Sequence, residues 1–334
     1  MSTITIGIAA SHTTLMNTKW DEVAHLDRAH HYRDALGEAR ARIAASGADV
    51  AVVVGSNHFR GFWLDLMPSF TLGVGEVVAA GEHGTPSGPQ AADPELAMSL
   101  LDGLHAAEFD VAFSADLQVD HGITHAIQHV LPAGMPVVPL VVNCFAHPMP
   151  SLRRCAALGE ALATVLAGDG LDRRVAIVGS GGLSHTLPFP DWRSPVSADD
   201  EFLIESWIHG RGRWQDFEQR RRKIVVAAPS LLNEVFDHDI LGRLAAGSLA
   251  AIATGTDAFD DESLVAAGGN GAHELRNWIV MVAACGWAAG RPLAYSPMPE
   301  WLTGMAVAEI PSRRSASAPA DTARAASGAA SGGT

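Results

Sequence analysis

Four short runs of apolar, mostly β-branched residues stand out along the chain. Each ends in small or polar residues. They are Ile4–Ala10, then Asp49–Val54 running into Gly55-Ser56-Asn57-His58, Pro136–Val142 running into Asn143, and Arg174–Val178 running into Gly179-Ser180-Gly181-Gly182. Continuous apolar runs bounded by turn residues predict central strands covered on both faces. Helical patterns lie between them. Asp21–Ala45 carries good helix formers with an apolar face including Ala35, Leu36 and Ile43. Asp93-Pro94-Glu95 reads as a helix start, with Asp93 as N-cap and proline at the first position. Pro150–Leu166 is rich in Ala and Leu.

Strand alternating with helix predicts one α/β domain with a central, mostly parallel or mixed sheet flanked by helices. From about Asp199 to Ala289 helical patterns dominate, so the C-terminal half is expected to be a helical layer. The basic run Arg220-Arg221-Arg222-Lys223 within it reads as a solvated helix face. Trp278–Ala289, the longest apolar stretch, falls short of the roughly 20 residues that span a bilayer and reads as a buried helix. The boundaries expected are 1–311 for a catalytic domain and 312–334 for a disordered Ala/Ser/Gly-rich tail, too poor in large apolar residues to offset its ordering entropy. No repeat of fixed period is evident.

Composition narrows the function classes. The 334 residues are 48% hydrophobic, enough for a sizeable core, and the formal net charge is −14. With no extended basic stripe, nucleic acid is an unsuitable partner. Cys144, Cys155 and Cys285 are odd in number and lack C-x-x-C spacing, which argues for buried thiols in a reducing compartment. The N-terminus has neither a basic n-region nor a cleavage motif. A cytoplasmic, soluble protein away from membranes is expected.

The chemistry is in the histidines, of which there are 15. His12, His58 and His185 each follow a predicted strand, where ligands bind in open α/β sheets. His121 lies in the Gln118-Val119-Asp120-His121-Gly122 segment. Any one of them could be structural. Together they suit a divalent first-row metal held by imidazoles and a carboxylate. Other motifs fit less well. His273-Glu274 begins like H-E-x-x-H, but Asn277 stands where the second histidine belongs. Gly179–Ser184 lacks the last glycine of a dinucleotide fingerprint. Gly182-Leu183-Ser184-His185-Thr186 is an imperfect nucleophile elbow, which keeps a hydrolase using Ser184 or a metal-bound water as an alternative, beside a non-catalytic binding protein.

Ser11-His12, Asn57-His58-Phe59, Gln118–Gly122, Gly179–His185 and His273-Glu274 followed by Trp278 occur in this order, with Asp65–Pro68, Leu72–Gly75 and Pro299-Glu300-Trp301 beside them. In this the chain resembles the class III extradiol dioxygenases, the superfamily of the protocatechuate 4,5-dioxygenase β subunit, over nearly all of residues 4–306. The resemblance implies Fe(II) held by His12, His58 and Glu274, with His121 and His185 as an acid–base pair. It implies O2-dependent opening of a catechol ring in aromatic catabolism, and a homo-oligomer. The chemistry is consistent: two histidines and one carboxylate leave positions open on iron. Intradiol enzymes use tyrosine ligands, and this chain has only Tyr32 and Tyr295. His273, adjacent to Glu274 on a helix, is expected to face packing. Asn57, Arg60 and His125 depart from the family pattern and flank the implied site, so they are candidate substrate-binding residues; Arg60 could pair with a substrate carboxylate. Expected substrates are a 3-substituted catechol, such as a 2,3-dihydroxyphenyl acid, or a lignin-derived catechol.

Overall fold

The computed structural model describes residues 1–311; the tail expected at 312–334 lies outside the described residues. Nine strands form one mixed sheet: β1 (Thr3–Ala10), β2 (Val50–Ser56), β3 (Phe70–Ala80), β4 (Ser87–Gln90), β5 (Ala112–Val119), β6 (Val137–Val142), β7 (Arg174–Ser180), β8 (Arg291–Met298) and β9 (Thr303–Pro311). Their order is β4-β3-β6-β2-β7-β1-β9-β8, with β5 beside β3. The four runs read from the sequence are the four central strands, β6-β2-β7-β1, and all pair in parallel. Every residue of β2 and β6 is buried.

Alternate residues of the central strands feed two cores. Val50, Val52 and Val54 join one, while Ala51 and Val53 join the other. Burying each such valine contributes about 1.5–3 kcal/mol. The Leu26–Ser46 helix covers the second face with Ala29, Tyr32, Leu36, Ala39 and Ile43, and stops at Gly47, whose φ of 70° suits a left-handed cap. The first face carries the Pro94–Ala106, Leu152–Gly168 and Leu275–Ala284 helices. Asp93 caps the first of these by accepting from the Leu96 N–H at 3.0 Å, as its sequence predicts. The Leu275–Ala284 helix is buried at every position because it lies between β7 and the Leu152–Gly168 helix. Cys144, Cys155 and Cys285 are buried and unpaired.

Residues 198–284 form the expected helical layer, but the chain then returns to the sheet. β9 pairs antiparallel with β1, and β8 with β9. Among the described residues no helix is long and apolar enough to cross a membrane.

Candidate active site

The parallel strands deliver their histidines to one end of the sheet. His12 lies two residues beyond β1, His58 two beyond β2, and His185 follows the glycine turn after β7. His121 enters from the end of β5, where Asp120 caps a short helix by accepting from the Gly122 N–H at 2.9 Å. Glu274 stands at the N-terminal end of the Leu275–Ala284 helix. These five residues line one cleft of about 750 Å³, its open mouth included.

Their polar atoms converge. His12 Nε2 and His58 Nε2 lie 2.9 and 3.4 Å from Glu274 Oε1. The other carboxylate oxygen accepts from the Gly182 N–H at 2.7 Å and faces His185 Nε2 at 3.7 Å. Ser56 Oγ donates to Glu274 Oε1. The far nitrogens are held from behind: His12 Nδ1 lies 2.9 Å from Ser180 Oγ, and His58 Nδ1 lies 3.2 Å from Asp120 Oδ1. With Nδ1 donating, each Nε2 presents a lone pair to the cleft, the arrangement of metal-binding histidines and their supports. His12 Nε2 is buried and, despite its proximity to Glu274, has no hydrogen-bond partner. An orphaned nitrogen opposite a buried carboxylate fits a divalent cation. Among the described residues, nitrogens of His12, His58 and His121 lie mutually within 4.8 Å, as do donor atoms of Glu82, Asp120 and His121.

The remaining two histidines are placed differently. His185 Nδ1 donates to the Leu183 carbonyl at 2.9 Å, which leaves Nε2 as the acceptor in the neutral ring. Burial pushes its pKa below the ordinary value, against Glu274. Gly271 makes room for this ring: a Cβ there would lie 2.2 Å from it. His121 Nδ1 donates to Glu82, and its ring stacks on His58 at 3.8 Å between centroids. Before a cation binds, burial disfavours charge on His58, but Asp120 and Glu274 override it and push that imidazole up to about 10, so a cation at Nε2 would have to displace a proton. Burial and the His58 charge together push His121 down to about 4, with Glu82 opposing.

The flanking residues depart from the sequence reading. Arg60 lines the cleft but is occupied: Nη2 lies 2.7 Å from Glu218 Oε2, Nε lies 3.1 Å from Glu82 Oε2, and Nη1 donates to the Phe59 carbonyl at 3.0 Å. Asn57 does not line the cleft. Its side chain clamps its own loop, accepting from the Gly61 and Phe62 N–H groups and donating to the Phe62 carbonyl. His125 is buried behind His12, 4.7 Å from the His129 ring, with neither nitrogen hydrogen-bonded, and is also outside the cleft lining. His273 packs as expected, its Nδ1 accepting from Arg276 at 2.8 Å. Ser184 is fully buried against Asp237, at 2.9 Å, and the Asn233 N–H, with no imidazole partner. The hydrolase alternative therefore lacks an activated serine.

The basic run is not simply a solvated face. Arg220 and Lys223 are exposed, but Arg221 is buried against Glu218 and Arg222 lines the cleft. Glu82, His83 and Glu218 also line it and were not singled out by sequence; isolated carboxylates carry no local signal. Leu187, Phe189, Trp301 and Leu302 provide apolar wall.

The family model of the catalytic LigB subunit of aromatic ring-opening dioxygenases matches residues 7–306. The chain belongs to this family. The ring-opening dioxygenase is 36% identical over 297 residues to a protein of Paraburkholderia xenovorans named 2,3-dihydroxyphenylpropionate/2,3-dihydroxicinnamic acid 1,2-dioxygenase, covering 84% of this chain and 88% of that one. A protein of the same name from Rhodococcus jostii is 33% identical over 289 residues, covering 82% and 88%. An uncharacterized Escherichia coli K12 protein of known structure shares the fold alone, with a TM-score of 0.51 at 14% identity over 92% of this chain and 99% of that one. The extradiol resemblance is thus borne out.

Proposed function

We propose that this ring-opening dioxygenase cleaves a 3-substituted catechol of the 2,3-dihydroxyphenyl acid type beside its hydroxyl pair, using O2 and Fe(II) held by His12, His58 and Glu274. The observation that carries the reading is the convergence of two imidazole Nε2 atoms on one buried carboxylate oxygen, with each imidazole supported from behind. When bound there, ferrous iron supplies the redox chemistry between catechol and O2 and acidifies a catechol hydroxyl.

The chain's own residues bind and move protons. Phe189, Leu187 and Trp301 hold the aromatic ring and exclude water. His185 accepts the catechol proton at Nε2, because its Nδ1 hydrogen is committed to Leu183. His121, neutral at rest, takes the second catechol proton at Nε2 and gives it back during ring opening, with Glu82 stabilising its charged form through Nδ1. Each positioned acid or base is worth about 10²–10⁴-fold. We take residues 1–311 as the catalytic unit, a homo-oligomer working in the cytoplasm.

The test is anaerobic preparation with ferrous iron, metal analysis, then oxygen uptake and visible absorbance across a panel of catechols. About one iron per chain and a coloured ring-cleavage product are expected. Full activity in a metal-free sample, or with zinc alone, would sink the reading. Size-exclusion chromatography with light scattering measures the oligomer, and a monomer would refute that part.

A further inference from the structure

Apart from Glu274, which faces the imidazoles, the cleft lining holds three arginines and two carboxylates, and the unmatched charge falls on one side chain. Arg60 is bound by Glu82 and Glu218. Arg221 shares Glu218 at 2.8 Å, and His83 takes the other oxygen of that carboxylate at 2.8 Å. Both buried arginines are therefore compensated, and Glu82 and Glu218 are each engaged through both oxygens. Arg222 is the next residue on the Trp214–Ala227 helix and is half-buried in the same wall. Its guanidinium reaches two hydroxyls: Nη2 donates to Thr18 Oγ1 at 2.7 Å, and Nη1 lies 3.5 Å from Thr14 Oγ1. Among the described residues no carboxylate comes within ion-pair distance of it. Two of its five N–H donors have protein partners.

A half-buried cation is costly unless an anion meets it. Neighbours Leu15 and Val225 line the cleft beside it, so water is partly excluded there. The planar fork of an arginine matches a carboxylate in two parallel hydrogen bonds. The sequence pointed to Arg60 for that role, but the Arg60 charge is already met by Glu82 and Glu218.

We propose that Arg222, steadied by Thr14 and Thr18, receives the carboxylate of the substrate's ring substituent and makes the cleft select acid-bearing catechols over neutral ones. The inference rests on the ring-cleavage reading above for the identity of the rest of the ligand.

Two ligands of matched shape decide it: 3-(2,3-dihydroxyphenyl)propanoate and neutral 3-propylcatechol. Calorimetric titration of the iron-loaded protein without oxygen gives affinity, and oxygen uptake gives KM and kcat. Arg222→Gln should weaken binding and raise KM for the acid by about ten- to hundredfold, and so lower the acid-over-neutral preference by at least about tenfold. Arg222→Lys should recover part of that preference. Thr18→Val breaks the same hydrogen bond but keeps the charge, so it should keep most of the preference. A wild-type protein without preference, an Arg222→Gln protein that weakens both ligands equally, or a Thr18→Val protein that matches Arg222→Gln would each overturn the assignment. A wild-type protein that prefers the acid yet consumes no oxygen would overturn ring cleavage and leave Arg222 standing.

Discussion

His121 and Glu82 form a hydrogen-bonded pair in the cleft wall, and the same carboxylate faces Arg60. Burial opposes the charge on Glu82, but His121 and Arg60 hold its carboxyl well below the usual range. One anion thus serves both the imidazole proposed as a proton carrier and a buried arginine. Glu82→Gln should lower kcat by about 10²-fold or more, because protonated His121 loses its partner. It should also cost about 1–3 kcal/mol of stability, since Arg60 loses one of its two carboxylates and keeps Glu218. Iron content should stay near wild type. Turnover beside urea unfolding measures both, and an unaltered kcat would remove Glu82 from the proton path.

Ligands and proton carriers should separate by iron content. His12→Ala and His58→Ala proteins, and Glu274→Gln, are expected to purify folded but with most iron lost. His121→Ala and His185→Ala should retain iron and lose at least about two orders of magnitude in turnover. The discriminating case is His121, whose nitrogen lies within 4.8 Å of those of His12 and His58. If His121→Ala arrives without iron, the cation is held by three imidazoles and the proton role assigned to His121 is wrong.

The residues behind the imidazoles should matter almost as much. Ser180→Ala removes the partner of His12, and Asp120→Asn leaves His58 a neutral acceptor in place of a carboxylate, so each should weaken iron binding by about 10–100-fold. Competition with a chromogenic ferrous chelator reads this directly. Equal affinity in both variants would mean that the rings are aligned by packing alone, for instance by Phe145, whose ring lies 5.2 Å from His58.

Ser184→Ala should keep catechol-dependent oxygen uptake. Its hydroxyl serves Asp237 and the Asn233 N–H behind the site. Asp237 keeps the Tyr295 hydroxyl at 2.7 Å, so the expected loss is about 1–3 kcal/mol of stability. A collapse of turnover in a folded, iron-replete Ser184→Ala protein would put the Ser184–Asp237 contact among the groups that position the site.

What the sequence reveals follows burial. β1, β2, β6 and β7 are covered on both faces and so read as unbroken apolar runs. β3 is interrupted by Gly73 and Gly75, and β5 leaves Phe113, Ala115, Asp116 and Gln118 exposed. β8 contains Pro292 and Pro297, tolerable because it is an edge strand. β9 contains Met305-Ala306-Val307-Ala308-Glu309, a run equally compatible with a helix. In the site, His12, His58 and His185 are legible as strand-end residues, whereas Glu274 needs the family resemblance. Asn57 and Arg60 adjoin His58 in sequence, yet one side chain turns back on its loop and the other is claimed by distant carboxylates. Nothing local to Arg60 announces Glu218, which arrives on a helix far along the chain.

The same distance has a consequence for biosynthesis. His12 and His58 leave the ribosome early, while Glu274, and the β9 strand that seals β1, arrive near the end. A nascent or truncated chain ending before Glu274 would present two imidazoles and no carboxylate between them. Capture of the proposed metal should therefore be a late event, and metal content a report on whether the whole sheet has closed.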